Sequence, residues 1–296
     1  MLGQAAANLG DLEEALEHWR QAMALDDGYV DPMLSAAEVL IHPMHDYDGA
    51  IALCDEVLEF VDTKEEITDA LLLKFDALLA RGDREAAQAV LQDLPDAGGD
   101  ANTQSFLIGR AYFEAGQSEK AEPYLLEALE KDPRNADAHY YIGLVRDERR
   151  DWRGATLAFL EARELDLHAP APPWSLPKEQ FHKSVERAVG MLDAELLQHL
   201  EGALMLVADA PGMEAVADGI DPRLPLLIDG LGDPPAHASQ PARAVRVFVY
   251  QRNIERICGG LEQLEDESAW QLGEEVRHVL GLPRDSEPPP EVRAHN

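Results

Sequence analysis

From the start of the chain to about Asp166, apolar positions recur three and four residues apart, and short polar turns interrupt them at a nearly constant interval. That is the spacing of helices with one buried stripe. Aligned on the turn, the units read GDLEEALEHW at Gly10, HDYDGAIALC at His45, GDREAAQAVL at Gly82, GQSEKAEPYL at Gly116 and RDWRGATLAF at Arg150, in steps of 35, 37, 34 and 34 residues. Five residues after each anchor stands an alanine: Ala15, Ala50, Ala87, Ala121 or Ala155. Four further on stands a larger apolar residue: Trp19, Cys54, Leu91, Leu125 or Phe159. A small residue and a larger one about a helical turn apart are what two closely crossing helices require. Gly3, Gly109 and Gly143, each seven residues before its anchor, permit the same closeness from the other helix of the pair, and the second and third units lack this glycine. The pattern predicts five helical hairpins over residues 1–167. The first is incomplete because Met1 falls inside its leading helix, and the pattern does not say whether further repeats lie upstream.

After Asp166 the pattern changes. The stretch HAPAPPWSLPKEQ cannot continue a helix and predicts a proline-rich linker over residues 168–177. FHKSVERAVGMLDAELLQHL has helical periodicity and predicts one or two amphipathic helices, while ALMLVAD, LPLLID and VRVFVYQ have the β-branched, aliphatic and aromatic content of short strands. NIERICGGLEQLEDESAWQLGEEVRHVLGLP is mostly helical, with Gly281 as the C-cap and Pro283 just beyond it. Helices with a few strands and no regular strand–helix–strand alternation predict a small α+β unit over residues 178–285. The composition of residues 286–296 predicts a disordered tail.

The five registered hairpins resemble the tetratricopeptide repeat. That resemblance implies an all-α solenoid in which the first helix of each pair lines a concave groove that receives a partner segment. The groove positions of the last two repeats are Phe106 and Arg110, then Tyr140 and Leu144, with Asp137, Asp147 and Glu148 nearby. Chaperone-binding relatives clamp a C-terminal carboxylate there with Lys, Arg and Asn. The residues here do not reproduce that clamp, so chaperone tails are not expected as ligands. A basic or an apolar protein segment is.

The order FHKSVERAV, GIDPRLPLLIDGLG, VRVFVYQRNIER and a helix ending in HVLGL resembles the minimal zincin-like metallopeptidases related to matrix metalloproteases. The family carries H-E-x-x-H on its last helix, followed by x-x-G-x-x-D: two histidines and the aspartate hold zinc, and the glutamate is the general base. On that resemblance Glu275 matches the base, His278 the second ligand and Gly281 the turn. Glu274 replaces the first histidine, Arg284 stands where the third ligand belongs, and Asp285 follows one residue late. The metal expectation is therefore either none or zinc held by Glu274, His278 and Asp285, with Glu275 catalytic only in the second case. A carboxylate in place of an imidazole weakens the hold on zinc, and a cation at a ligand position repels it.

Composition narrows the partners. The formal net charge is −32, and residues 1–166 carry 36 Asp and Glu against 14 Lys and Arg, compared with 21 against 11 for residues 167–296. Such a polyanion would be repelled by nucleic acid. No apolar run is long enough to span a bilayer, and nothing at the N-terminus resembles a secretory leader, so neither membrane nor export is expected and the cytoplasm is the default. Cys54 and Cys258 are isolated, in keeping with a reducing compartment, and His182, His199 and His237 lack ligand spacing. No P-loop, G-x-G-x-x-G or G-x-S-x-G motif is present. Three functions remain: an interaction scaffold whose appended zincin-like domain is a pseudo-peptidase, an active zinc peptidase whose repeats deliver substrate, or a solenoid with a purely architectural cap.

Overall fold

The computed structural model describes residues 2–8, 11–25, 29–42, 44–95, 102–231 and 242–283. Gly10, His237, Arg284, Asp285 and the tail from residue 286, all used in the sequence argument, lie outside them. Contacts divide the chain into Met1–Ala158 and Phe159–Asn296.

The first unit consists of paired helices: α1 (Leu2–Asn8) with α2 (Leu12–Leu25), α3 (Val30–Ile41) with α4 (Tyr47–Phe60), α5 (Lys64–Ala80) with α6 (Arg84–Val90), α7 (Asn102–Glu114) with α8 (Ser118–Lys131), and α9 (Ala136–Glu148) with α10 (Trp152–His168). Four of the turns between partners follow from their anchor residues. His45, Gly82, Gly116 and Arg150 all have positive φ, from 56° to 88°, which breaks the first helix in the left-handed region. The following aspartate then starts the second helix: Asp46, Asp83 and Asp151 accept the backbone N–H three residues on, at 3.0, 3.1 and 3.0 Å.

Within each pair the small positions are where the backbones meet. Ala15, Ala50, Ala87, Ala121 and Ala155 are all buried. A Cβ added to Gly109 would stand 2.7 Å from Leu125 Cγ, and one on Gly3 2.6 Å from Trp19 Nε1. The residues predicted to cross are thus the ones that do. In the third unit Phe75, fully buried, occupies the place of the missing glycine and helps form the core with Leu71, Leu78, Leu91 and Tyr112. Along the stack α3, α5, α7 and α9 each pack on the next, so the first helices form one continuous face.

The second unit takes in the end of α10. Asp166, nearly buried, pairs with Arg223 at 2.9 Å and with Arg256, and Arg163 Nε donates to the Pro211 carbonyl at 2.5 Å. Then come α11 (Lys178–Gly190), α12 (Ala194–Leu200), β1 (Leu204–Ala208), α13 (Met213–Ala217), β2 (Leu226–Asp229), β3 (Arg246–Tyr250), α14 (Gln251–Ile257), a 3-10 turn (Leu261–Gln263) and α15 (Leu264–Leu280). The three strands fall on the three stretches the sequence marks. Their order is β1-β3-β2, with β1 parallel to β3 and β2 antiparallel to it, Leu206 and Leu227 flanking Phe248.

Phe181 and Val185 of α11, Leu226 of β2, Val247 and Val249 of β3, and Leu264, Leu272 and Val276 of α15 make one core. Gly281, at φ 66°, caps α15, with Leu282 N–H reaching back to Arg277 O at 2.8 Å, as the Gly-then-Pro ending predicts. The stretch expected as a linker over 168–177 is partly built in. Trp174 and Leu176 pack against this core, and Gln251 donates to the Leu176 carbonyl at 2.7 Å. The apolar pair outweighs the prolines around it.

Candidate functional site

Two places carry the predicted residues. The first is the face made by the first helices. Phe106 and Phe113 of α7 meet Tyr141 of α9 edge to face, with ring centroids 5.8 and 5.6 Å apart, and Tyr140 stands 6.0 Å from Tyr141 in the same geometry. Tyr141 donates its hydroxyl proton to Glu114 Oε1 at 2.8 Å. Arg110 Nη2 donates to both carboxylate oxygens of Asp76 on α5, at 2.8 and 2.6 Å, and its Nε lies 3.9 Å from Glu114. Phe106, Arg110 and Tyr140 are therefore brought together around Tyr141. Leu144 is half-buried one turn further along α9.

Electrostatics here follow from partial burial. Burial pushes the Asp76 and Glu114 carboxyls upward, with Arg110 opposing in both cases. Burial works against the charge on Arg110, but Asp76 and Glu114 outweigh it and hold the guanidinium above its ordinary value. Burial and then Glu114 raise the Tyr141 phenol, which stays protonated and can donate. Burial lowers His42, at the end of α3, despite Asp76 beside it. The one groove cation the sequence nominated, Arg110, is thus already committed to a carboxylate of the preceding repeat. Asp76, Glu114 and Tyr141 were missed by the sequence reading. Asp76 and Arg110 are 34 residues apart, the repeat length, so opposite charges at one position of consecutive repeats were a usable signal.

The second place is a cleft of about 270 Å³ between β2 and α15. Leu224, Pro225 and Leu226 form one side, and Trp270, Glu274, Glu275 and His278 the other. The sequence-matched Glu274, Glu275 and His278 do share this cleft. Their chemistry does not fit a zinc ion: Arg277 lies 3.7 Å from the Glu274 carboxylate, both side chains mostly buried, and so occupies a would-be ligand with a cation. Glu275 is raised by burial, with His278 opposing. Among the described residues no three His, Cys, Asp or Glu side chains stand together as a metal site. Asp285 lies outside the described residues. Asn253 shapes the cleft wall from behind, its amide donating to the Pro222 and Leu224 carbonyls at 2.9 and 2.8 Å.

Comparison with known proteins bears on the first place. Residues 106–170 and residues 1–29 each match a family profile described as tetratricopeptide repeat. The chain carries tetratricopeptide repeats. A stretch of 121 residues is 31% identical to the mouse Superkiller complex protein 3, covering 37% of this chain and 8% of that protein, so the chain spans only a small part of the relative's length. Among solved structures, MamA residues 41 to the end from Desulfovibrio magneticus RS-1 is 23% identical, with a TM-score of 0.45, over 57% of this chain and 93% of that one. YrrB, described as a TPR protein with an unusual peptide-binding site, is 19% identical, with a TM-score of 0.43, over 56% and 84%. No described helix is long and apolar enough to cross a membrane.

Proposed function

We propose that this protein is an interaction scaffold: its tetratricopeptide repeats hold a protein segment on the face of α3, α5, α7 and α9, and its second unit is a zincin-like domain without peptidase activity. The observation that carries the first part is the aromatic and charged cluster around Tyr141, built by residues from three successive repeats and left partly open. Phe106, Phe113 and Tyr141 also pack against the core of the repeats, but their partly exposed rings suit contact with a partner segment. Support for the second part is the Glu274–Arg277 pair, which places a cation where a ligand set needs none. In the cytoplasm, the reducing setting its two unpaired cysteines suit, it would act by bringing proteins together.

A second reading keeps the domain as a zinc peptidase supplied by the repeats. It is favoured by one observation, that Glu274, Glu275 and His278 line a single cleft beside an edge strand. Elemental analysis of freshly purified protein, with a peptidase assay on the same preparation, separates the two. The scaffold reading expects well under one zinc per chain and no cleavage. Stoichiometric zinc with proteolysis abolished by Glu275→Gln would establish the peptidase.

A further inference from the structure

We infer that the outer edge of β1 is a second binding surface, one that takes an extended, uncharged, apolar segment of another protein as an added strand of the sheet. It lies wholly within the second unit and is independent of what the repeats hold.

In the order β1-β3-β2 of the described strands, β1 and β2 each have one edge left over, and the two edges are not alike. β2 follows directly on Pro225, is four residues long and ends in Asp229, whose carboxylate accepts from Arg246 Nε at 2.9 Å. A proline, a short run and a charge are what ordinarily keep an edge from pairing. β1 reads Leu204, Met205, Leu206, Val207, Ala208, with no proline, no charge and no break in its register.

The backbone of β1 is aimed outward at known positions. Leu204 N–H donates to the Val245 carbonyl at 3.0 Å, and the parallel register then turns the N–H and C=O of Leu204, Leu206 and Ala208 toward β3 and those of Met205 and Val207 away from it. Among the described residues no hydrogen bond reaches these outward groups. Beside them is a cleft of about 530 Å³, bounded by Val189 of α11, Leu197 and Leu200 of α12, and Met205. Met205 and Val207 pack against the core of this unit, so the cleft lies on the core side of the sheet, just past its edge. A segment running antiparallel to β1 would bond Met205 through one residue and send that residue's side chain to the same face, into the cleft. Backbone groups and an apolar socket thus stand in the relation that strand addition requires.

Charge decides the occupant. The acidic side chains of the cleft are Glu186 and Glu201; Glu201 lies 2.7 Å from Arg243, and Glu186 lies 3.5 Å from the His182 ring. At the far end of the strand Asp209 pairs with Lys178 at 3.0 Å. A segment carrying Asp or Glu would meet these carboxylates, and one carrying Lys or Arg would find Glu201 and Asp209 already paired. An uncharged segment meets neither cost. A second copy of the chain would bring the same surplus of acid to the edge, 21 Asp and Glu against 11 Lys and Arg over residues 167–296, and repulsion opposes that pairing.

The test is selection of random peptides of roughly 12 residues on the immobilised full-length chain. Affinity is then measured for the synthesised winners and for copies methylated at one backbone nitrogen at a time. The expected result is a class of winners with Val, Ile, Leu or aromatic residues and no Pro or charge in the binding stretch. Their affinity drops about tenfold or more on methylation at alternate residues and little at those between. The same class loses about tenfold on Leu197→Asp and on Val207→Pro, and is indifferent to Tyr140→Ala on the repeats. Val207→Pro takes away an outward N–H and leaves the bonds to β3 in place. Leu197→Asp, at a half-buried position of α12, carries the test alone if that proline unfolds the sheet.

The strand-addition site is overturned if no winners appear, if all are indifferent to Leu197→Asp, or if those lost on it show no alternation on methylation. Winners that instead depend on Tyr140 leave the scaffold reading standing. Winners charged in the binding stretch, or a dimer in sedimentation that Leu197→Asp dissociates, overturn the occupant named here.

Discussion

Gly109 of α7 faces Leu125 of α8 so closely that a methyl group on the glycine would stand 2.7 Å from Leu125 Cγ and 3.1 Å from its backbone nitrogen. Alanine is ordinarily the better helix residue by about 1 kcal/mol, so the sign of a substitution here is diagnostic. Gly109→Ala is expected to destabilise the chain by about 1–3 kcal/mol through overpacking, read as a lowered chemical-denaturation midpoint. A neutral or stabilising result would mean that the two helices can part without cost.

Asp76 and Arg110 form a partly buried pair, so removing one partner strands the other. Asp76→Ala should cost about 1–3 kcal/mol of stability. The double change Asp76→Ala with Arg110→Met should cost less than Asp76→Ala alone, because no guanidinium is then left unpaired in a half-buried position. A double-mutant cycle in denaturant checks this.

The turns at His45 and Arg150 adopt positive φ without glycine, at 56° and 61°. Arg150→Gly should raise stability by about 0.5–1 kcal/mol by relieving that conformation. His45→Gly should gain less, because the ring of His45 meets the Tyr47 hydroxyl at 2.9 Å and that contact is lost. Thermal melts of the two variants should therefore rank Arg150→Gly above His45→Gly.

Glu267 on α15 is 1% exposed, and burial raises its carboxyl, with Gln271 opposing. A carboxyl raised in the folded state contributes its stability below the unfolded value and loses it as the pH climbs through the folded one. Glu267→Gln should thus stabilise at about pH 7, by about 1–2 kcal/mol, and the advantage should shrink toward about pH 4, where the native glutamate is protonated as well. Denaturation at both values measures it, and an advantage that grows on acidification would contradict the assignment.

Both thiols are buried, and burial pushes Cys54 and Cys258 up to about 12. Neither should react with a thiol reagent in the folded protein at neutral pH, and both should react once denatured. Titration before and after adding guanidinium counts them.

The repeats were legible because their determinants are local and recur: an anchor that turns, an aspartate that caps, an alanine that lets a neighbour approach. The same features appear in the structure at Gly82, Asp83 and Ala87. In the second unit the strands were legible from composition. The parallel pairing of β1 with β3 was not, because it joins Leu204 to Arg246 across more than forty residues, and no local preference encodes such a partner. The packed course of Trp174 and Leu176 was hidden by the prolines beside them. At the candidate site, single-residue matching named Phe106, Arg110 and Tyr140 but missed the pairings that set their chemistry. A charge means little until its partner is known. Arg110 read alone is a free cation, and Arg110 beside Asp76 is not.

Helix α10 has a consequence for anyone wishing to dissect the chain. Ala155 and Ala158 are buried in the first unit, while Arg163 and Asp166, two turns on, are bound to Pro211, Arg223 and Arg256 of the second. A gene fragment ending at residue 158 cuts α10 after its second turn, and one starting at residue 168 leaves Arg223 and Arg256 without the Asp166 carboxylate. The two units therefore overlap as cloning modules by one helix. A separate version of either should carry residues 152–168 whole, so that the same seventeen residues appear in both.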